Sequence, residues 1–239
     1  MPHSILIKIA TGIAAAALLL SCSILEGSAS REPEAAAPET FDAVRTLEDP
    51  RVEEIISLRS VRMQLETTFP GKAPNRTLIF IDAEGNQKIE LTVPRADEDA
   101  DAAEENILEI FVIGGTAYSR MGRDGPAAAD PSQENALHGI LYGPYGPGMW
   151  LMLLPKDALT SAGTETKGGF ETERYSIRGS VEEGTVQGEI WLDKQTGSLI
   201  GADLSVSESL FSAEGSGAGG TVSIILTVEK AEIPEITLS

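Results

Sequence analysis

The sequence predicts an α+β fold that is mainly β, with one antiparallel sheet and a few helices. Apolar and polar residues alternate with a period of two along about nine segments, which is typical of strands with one buried face. Short turns such as Gly114-Gly115 separate consecutive segments, and strands joined in this way pair antiparallel. Helical spacing of apolar residues is rare, so the few helices are expected to cover the buried face.

The strands follow from the alternation. In the first of them Val61, Met63 and Leu65 alternate with polar residues, and the last, residues 221–229, shows the same pattern. The predicted strands are residues 61–67, 77–82, 88–93, 107–113, 116–121, 171–178, 186–192, 199–206 and 221–229.

Two Asp-Pro pairs predict helix starts, because aspartate caps a helix and proline suits its first position. Asp49-Pro50 precedes an apolar stripe and predicts a short amphipathic helix, and Asp130-Pro131 predicts another through Leu137. The glycine- and proline-rich residues 139–148 are not expected to form a regular element. The first helix and the middle segment, residues 122–162, are expected to cover the sheet.

The most apolar run beyond Cys22 is residues 149–154. It has two interpretations: a buried strand or helix that fills the core, or the lining or lid of a cavity for a flexible apolar ligand, to which methionine adapts well. Trp191 is a candidate for the rim, although the sequence leaves open whether Ile190 or Trp191 faces inward. The candidate ligand-binding residues are Met149, Trp150, Met152, Leu153 and Trp191.

The only cysteine, Cys22, ends the run Leu19-Leu20-Ser21-Cys22 after a short apolar stretch, and this arrangement resembles a bacterial lipoprotein signal. The apolar stretch, residues 9–20, is shorter than the ~20 residues of a spanning helix, which disfavours a transmembrane anchor. The resemblance implies cleavage before Cys22, diacylation of its sulfur and a place in the bacterial cell envelope, lipid-anchored and extracytoplasmic. The predicted organisation is a signal peptide in residues 1–21, a lipidated cysteine and flexible tether in residues 22–40, and one domain in residues 41–239.

The net charge of −19 makes nucleic acid an unfavourable partner, and membrane contact is expected through the acyl chains on Cys22. The acidic run 97–105 contains no glycine, so a solvated loop is favoured over a calcium site. With Cys22 acylated no thiol is left for a disulfide or a thiolate metal site. No metal or cofactor is expected, and the chain is expected to be monomeric.

Catalysis is not expected. His138 is the only histidine beyond the signal segment, and general acid–base chemistry at neutral pH favours histidine. The sequence has no Gly-x-Ser-x-Gly elbow, no His-Glu-x-x-His pair and no phosphate loop, and Gly215-Ser216-Gly217 lies in a glycine-rich turn.

The order of elements resembles that of a known family. The local sequences that support the resemblance are GGFETERY at residues 168–175, EIWLDKQTG at residues 189–197 and the last alternating strand, which ends near Pro234. The chain is similar to the LolA-like group of lipoprotein carriers and lipid-binding lipoproteins, including LppX- and LprG-type proteins. The resemblance implies a strongly curved antiparallel half-barrel wrapped around a few helices. It also implies a cavity that binds or transfers a lipid or a lipoprotein acyl chain.

A second function stays open, because aromatic residues are scarce at six Phe, four Tyr and two Trp. A packed core without a small-molecule ligand predicts a tethered interaction or sensor module of the envelope. The two hypotheses differ in the interior, since an open cavity predicts stabilisation by added lipid and a packed core does not.

Overall fold

The computed structural model describes residues 55, 57–93, 106–122, 125–181, 184–211 and 220–238. The predicted signal peptide with Cys22, the tether, the acidic run 97–105 and the glycine-rich turn 215–217 lie outside these residues. Most of the helix predicted after Pro50 also lies outside them, although Ile55 and Ser57 are helical and Ile55 is buried.

The described residues form one antiparallel sheet of eleven strands. Along most strands one set of alternate side chains is apolar, which allows a single face of the sheet to be buried. The strands are β1 (Val61–Thr68), β2 (Asn75–Ile81), β3 (Gln87–Val93), β4 (Asn106–Ile113), β5 (Thr116–Met121), β6 (Ala128–Ala129), β7 (Leu159–Lys167), β8 (Phe170–Val181), β9 (Gly184–Asp193), β10 (Leu199–Ser207) and β11 (Thr221–Lys230).

The strand order is β6-β5-β4-β3-β2-β1-β11-β10-β9-β8-β7. Consecutive strands are neighbours, with the exception of β6 and β7, which lie at opposite edges of the sheet. At the centre β1 pairs with β11 and joins the two halves of the chain. The sheet is curved, and β6 and β7 remain as its edges, so it does not close into a barrel. The predicted fold class, a mainly β half-barrel with a few helices, is confirmed.

Two α-helices lie between β6 and β7: α1 (Ala136–Tyr142) and α2 (Pro147–Leu153). Asp130 is an N-cap as predicted, since its carboxylate accepts a hydrogen bond from the Ser132 amide at 3.2 Å, but it caps only a 3₁₀ turn, Pro131–Gln133. The prediction that residues 139–148 are irregular is wrong at both ends. Gly139 continues α1 by donating its amide to the Asn135 carbonyl at 2.9 Å, and Pro147 occupies the first turn of α2.

All nine predicted strands are present, and the sequence missed β6 and β7. Both are edge strands whose side chains are mostly exposed, so neither carries the alternation of a half-buried strand. A bulge between Ser161 and Gly163 interrupts the pairing of β7 with β8. Such a bulge protects a free sheet edge from pairing with other chains.

The core lies against the concave face of the sheet, which we define as the face that carries Met63. The register places Met63 between Ile79 on β2 and Val228 on β11, and all three side chains are fully buried. On the other half of the sheet Leu204 pairs with Ile224, and both are fully buried. Both α-helices contribute buried side chains to the same apolar cluster: Leu137, Leu141, Trp150 and Leu151.

The opposite, outer face carries a buried ion cluster on β3, β4 and β5. Glu109 is 0% exposed, and its two oxygens lie 2.8 Å from Lys88 Nζ and 2.5 Å from Arg120 Nε. The Phe111 ring lies beside both cations, 5.8 Å from Lys88 and 5.1 Å from Arg120. Burial raises the pKa of Glu109, but hydrogen bonds from Lys88 and Arg120 outweigh it and hold the pKa below its ordinary value.

We expect Glu109→Gln to lower the free energy of unfolding by about 2 kcal/mol at neutral pH, because two cations lose a buried carboxylate. The matched control is Glu229→Gln on the same face, where the pair with Arg62 is 3.4 Å long and nearly half exposed. That variant is expected to lose less than about 0.5 kcal/mol. Urea denaturation measures both, and equal losses would show that Glu109 is no better buried than Glu229.

Candidate ligand-binding site

The segment between β6 and β7 differs in charge from the rest of the chain. Residues 135–155 contain no Asp, Glu, Lys or Arg, although such residues make up 23% of the sequence. This charge-free segment forms α1, a short connection and α2. An uncharged stretch of this length in an acidic protein suits contact with apolar groups.

A tight reversal folds α2 back beside α1. α1 ends where Gly143 donates its amide to the Gly139 carbonyl at 2.8 Å, after which the chain becomes extended. A Cβ at Gly146 would overlap the carbonyl oxygens of Ile140 and Leu141, so only glycine allows this approach. Pro147 then begins α2 in the first helical turn.

Four aromatic rings meet where this reversal reaches the end of β1, and we call Phe69, Tyr145, Trp150 and Phe211 the aromatic cluster. Phe211 is central: its ring centroid lies 5.4 Å from that of Phe69 and 5.0 Å from that of Trp150. Tyr145 stacks on Phe211 with an interplanar angle of 6°. Edge-to-face and stacked pairs of this kind add about 0.5–1.5 kcal/mol each to the burial of the rings.

Two hydrogen bonds fix the cluster to the backbone. The indole N–H of Trp150 donates to the Pro144 carbonyl at 3.0 Å, and the Thr67 hydroxyl donates to the Tyr145 carbonyl at 3.0 Å. Thr67 lies near the end of β1 and is buried. The bond from Thr67 therefore ties the connection between α1 and α2 to the end of β1.

The predicted residues on α2 divide between its two sides. Trp150 is 1% exposed, and Met149 is partly buried against the core. Met152 and Leu153 face outward and are 49% and 50% exposed. Residues 149–153 of the apolar run are thus helical, with apolar residues on both the buried and the exposed side of α2.

The sequence interpretation missed Phe69, Tyr145 and Phe211. Phe69 follows β1, and Phe211 ends the 3₁₀ turn Glu208–Phe211 after β10, so both are far from α2 in the chain. Tyr145 lies within the segment that was predicted to be irregular. A single aromatic residue next to a strand end gives no signal that it meets others in space.

Trp191 lies elsewhere, on the outer face of β9, while Ile190 faces the core. Its indole N–H donates to the Glu165 carboxylate, and the Lys167 ammonium lies 3.5 Å from the ring centroid. These contacts bury Trp191 outside the half-barrel, on the side opposite α2. The structure brings Met149, Trp150, Met152 and Leu153 together on one helix and leaves Trp191 apart.

Within the described ranges, no group of three or more His, Cys, Asp or Glu residues is arranged to hold a metal ion. His138 stacks on Tyr142 with ring centroids 4.6 Å apart. None of the helices in the described part of the chain is both long and apolar enough to cross a bilayer.

No model of a protein family and no curated protein sequence matches the chain. Solved structures that are similar to it include the following three. LprF from Mycobacterium bovis is 15% identical, with 82% of this chain and 95% of LprF covered and a TM-score of 0.42. MucB in complex with MucA(peri) is 13% identical, with 81% of this chain covered and a TM-score of 0.37. The MucA/MucB complex of Pseudomonas aeruginosa is 14% identical, with 80% of this chain covered and a TM-score of 0.38. The chain spans 57% and 58% of those two chains.

Proposed function

We propose that the protein is an extracytoplasmic lipoprotein of the bacterial envelope that binds the acyl chain of a lipid or of a lipoprotein. The acyl chain lies between α2 and the concave face, against the aromatic cluster. The observation that carries the proposal is the apolar character of both sides of α2 within the charge-free segment, with Trp150 inside and Met152 and Leu153 outside.

The driving force is the removal of apolar surface from water, worth about 25 cal/mol per Å². Met149 and Met152 lie on α2, and their flexible thioether side chains adapt to a chain of variable shape. The neighbouring rings of Tyr145 and Phe211 add flat apolar surface at the same end of the sheet. Binding in this proposal is passive and requires no catalytic residue.

Entry of an acyl chain requires α2 to move away from the sheet. Glycines at positions 143 and 146 flank the connection between the helices. The Thr67 hydroxyl bonds it to β1, whereas the bond from Trp150 to Pro144 lies within the segment and can move with it. A segment held in this way opens at lower cost than one tied by many hydrogen bonds. We propose that α2 is the lid.

The acylated Cys22 keeps the domain at the membrane from which the ligand is taken. More than one acyl chain on a single cysteine gives stable anchoring, whereas one chain alone is marginal. The acidic surface does not itself attract anionic headgroups.

A tethered interaction or sensor module is the second candidate. It is favoured by the packing of the concave face, where Met63, Ile79 and Trp150 are buried in one continuous cluster. In that case α2 fills the core permanently, and Met152 and Leu153 contact a protein partner.

Fluorescence quenching distinguishes the two candidates, because the chain has only two tryptophans. In a soluble version that begins at Ser23, Trp191→Phe leaves Trp150 as the reporter and Trp150→Phe leaves Trp191. We expect dibromostearate to quench Trp150 strongly at equimolar ligand and to leave Trp191 almost unchanged, since bromine quenches only at contact. Quenching of neither tryptophan would favour the interaction module.

The outward side of α2 is tested with the double variant Met152→Glu/Leu153→Glu. We expect it to weaken dibromostearate binding about tenfold, because two negative charges replace apolar groups on the outward side of α2, the proposed lid. Met121→Glu is the matched control, since Met121 is 60% exposed and lies on β5, away from α2. An equal effect of both substitutions would contradict a role of α2 in binding.

A further inference from the structure

A second concave surface lies on the outer face of the sheet, on the side opposite α2. It is a groove of about 640 Å³ that crosses β7, β8, β9 and β10. Its lining residues are mostly polar and come from these four strands and from the 3₁₀ turn before β7: Asp157, Ala158, Thr160, Ser176, Ile177, Arg178, Gln187, Gly188, Glu189, Asp203 and Ser205.

The strand register arranges the polar side chains in two rows across the sheet. Neighbouring strands are ~4.8 Å apart, and side chains two residues apart on a strand are ~6.8 Å apart, so the rows are regular. The first row is Thr160, Ser176, Glu189 and Asp203, and the second is Arg178, Gln187 and Ser205.

The floor of the groove is the backbone of the sheet, and it is tightly built. Ile177 contributes backbone there, since its side chain is buried in the core on the opposite face. Gly188 has a φ of 147°, and a Cβ at this position would overlap the Asp203 carbonyl oxygen of the next strand. Only glycine therefore allows β9 and β10 to approach so closely below the groove.

Several polar side chains of the groove have no partner among the residues that the structure describes. Within the described ranges, Arg178, Gln187 and Asp203 make no side-chain hydrogen bond or ion pair. Glu189 has only Arg174 beside it, at 3.8 Å. These donors and acceptors are free to bind a ligand.

We propose that the groove binds an uncharged polyhydroxylated ligand, a segment of an oligosaccharide chain. Each sugar hydroxyl both donates and accepts hydrogen bonds, and the rows offer donors on Arg178 and Gln187 and acceptors on Glu189 and Asp203. Three carboxylates against one arginine disfavour an anionic ligand. Half of the polar lining side chains are uncharged hydroxyl or amide groups, which suit the hydroxyls of a sugar: Thr160, Ser176, Gln187 and Ser205. The site is on the other face from α2, so it does not depend on acyl-chain binding.

Isothermal titration calorimetry of the full-length protein, in a detergent without sugar groups, tests the proposal with chitohexaose and cellohexaose. We expect at least one of them to bind, and Arg178→Ala and Asp203→Ala each to weaken that binding about tenfold, because each removes hydrogen bonds to a charged group. The matched control is Arg62→Ala, an exposed arginine on the outer face of β1, for which no change is expected.

The absence of binding by either sugar at about 10 mM would overturn the proposal, as would equal weakening by Arg62→Ala. Hexalysine serves as a competing probe. If hexalysine binds and Asp203→Ala abolishes its binding while neither sugar binds, the groove is a site for a cationic polypeptide and the proposal is wrong.

Discussion

Trp150→Ala is expected to lower the free energy of unfolding by about 4 kcal/mol, among the largest losses for a single substitution in this protein. Trp150 is 1% exposed, and its ring lies 5.0 Å from that of Phe211. Alanine removes that ring contact, the hydrogen bond to Pro144 and the largest buried side chain of α2. Urea denaturation followed by circular dichroism measures the loss.

Trp150→Phe separates packing from hydrogen bonding. Phenylalanine keeps a ring against Phe211 but removes the donor to the Pro144 carbonyl, so a loss of about 1 kcal/mol is expected. A loss below about 1 kcal/mol for Trp150→Ala itself would contradict the packing of α2 against the sheet. That result would also remove the basis for treating α2 as a lid over a buried site.

The sheet could be predicted from the sequence because most strands have one buried and one exposed face. In β1 the buried Val61, Met63 and Leu65 alternate with more exposed residues, and β11 repeats the pattern. Pairing between β1 and β11 could not be predicted in the same way. Any of the alternating strands has the same period, so only packing of the whole chain selects the partner.

Edge strand β7 and the two helices were harder to predict for a different reason. β7 buries little, and its backbone pairing with β8 leaves no apolar pattern in the sequence. In the helical segment Gly146 is required because the chain passes close to the carbonyl oxygens of Ile140 and Leu141 in α1. Residue propensities mark this glycine only as a helix breaker and do not predict the contact.

The candidate site was predicted in part. The apolar run 149–154 identified α2, but the partners of Trp150 are contributed by Phe69 and Phe211, which are distant in the sequence. The sequence could not orient Trp191, because Ile190 beside it is also apolar and either could face the core. The structure orients Ile190 inward, and the cation and carboxylate around Trp191 explain how an indole is buried on the outer face.

Asp82→Ala is expected to cost about 3 kcal/mol at neutral pH, because a buried carboxylate accepts several hydrogen bonds. Asp82 follows β2, is 0% exposed and accepts from the Asn86 amide at 2.8 Å, the Asn86 side chain at 3.0 Å and the Ile236 amide at 3.0 Å. It therefore ties the C-terminal segment to the β2–β3 turn. Hydrogen exchange of the Ile236 amide should accelerate in the variant, while exposed Asp157→Ala should leave it unchanged.

The pH dependence of this loss follows from the pKa of Asp82. Burial raises the pKa, but hydrogen bonds from Ile236, Asn86 and Gly85 outweigh it, so the pKa in the folded protein lies below its ordinary value. The stabilisation is then fully present above about pH 4, where the unfolded chain has lost the proton, and it disappears as the pH falls through the folded-state pKa. The difference in unfolding free energy between the protein and Asp82→Ala should be constant from about pH 6 to 8 and shrink in acid. A difference that grows in acid would mean that the carboxyl is protonated in the folded protein and donates a hydrogen bond instead.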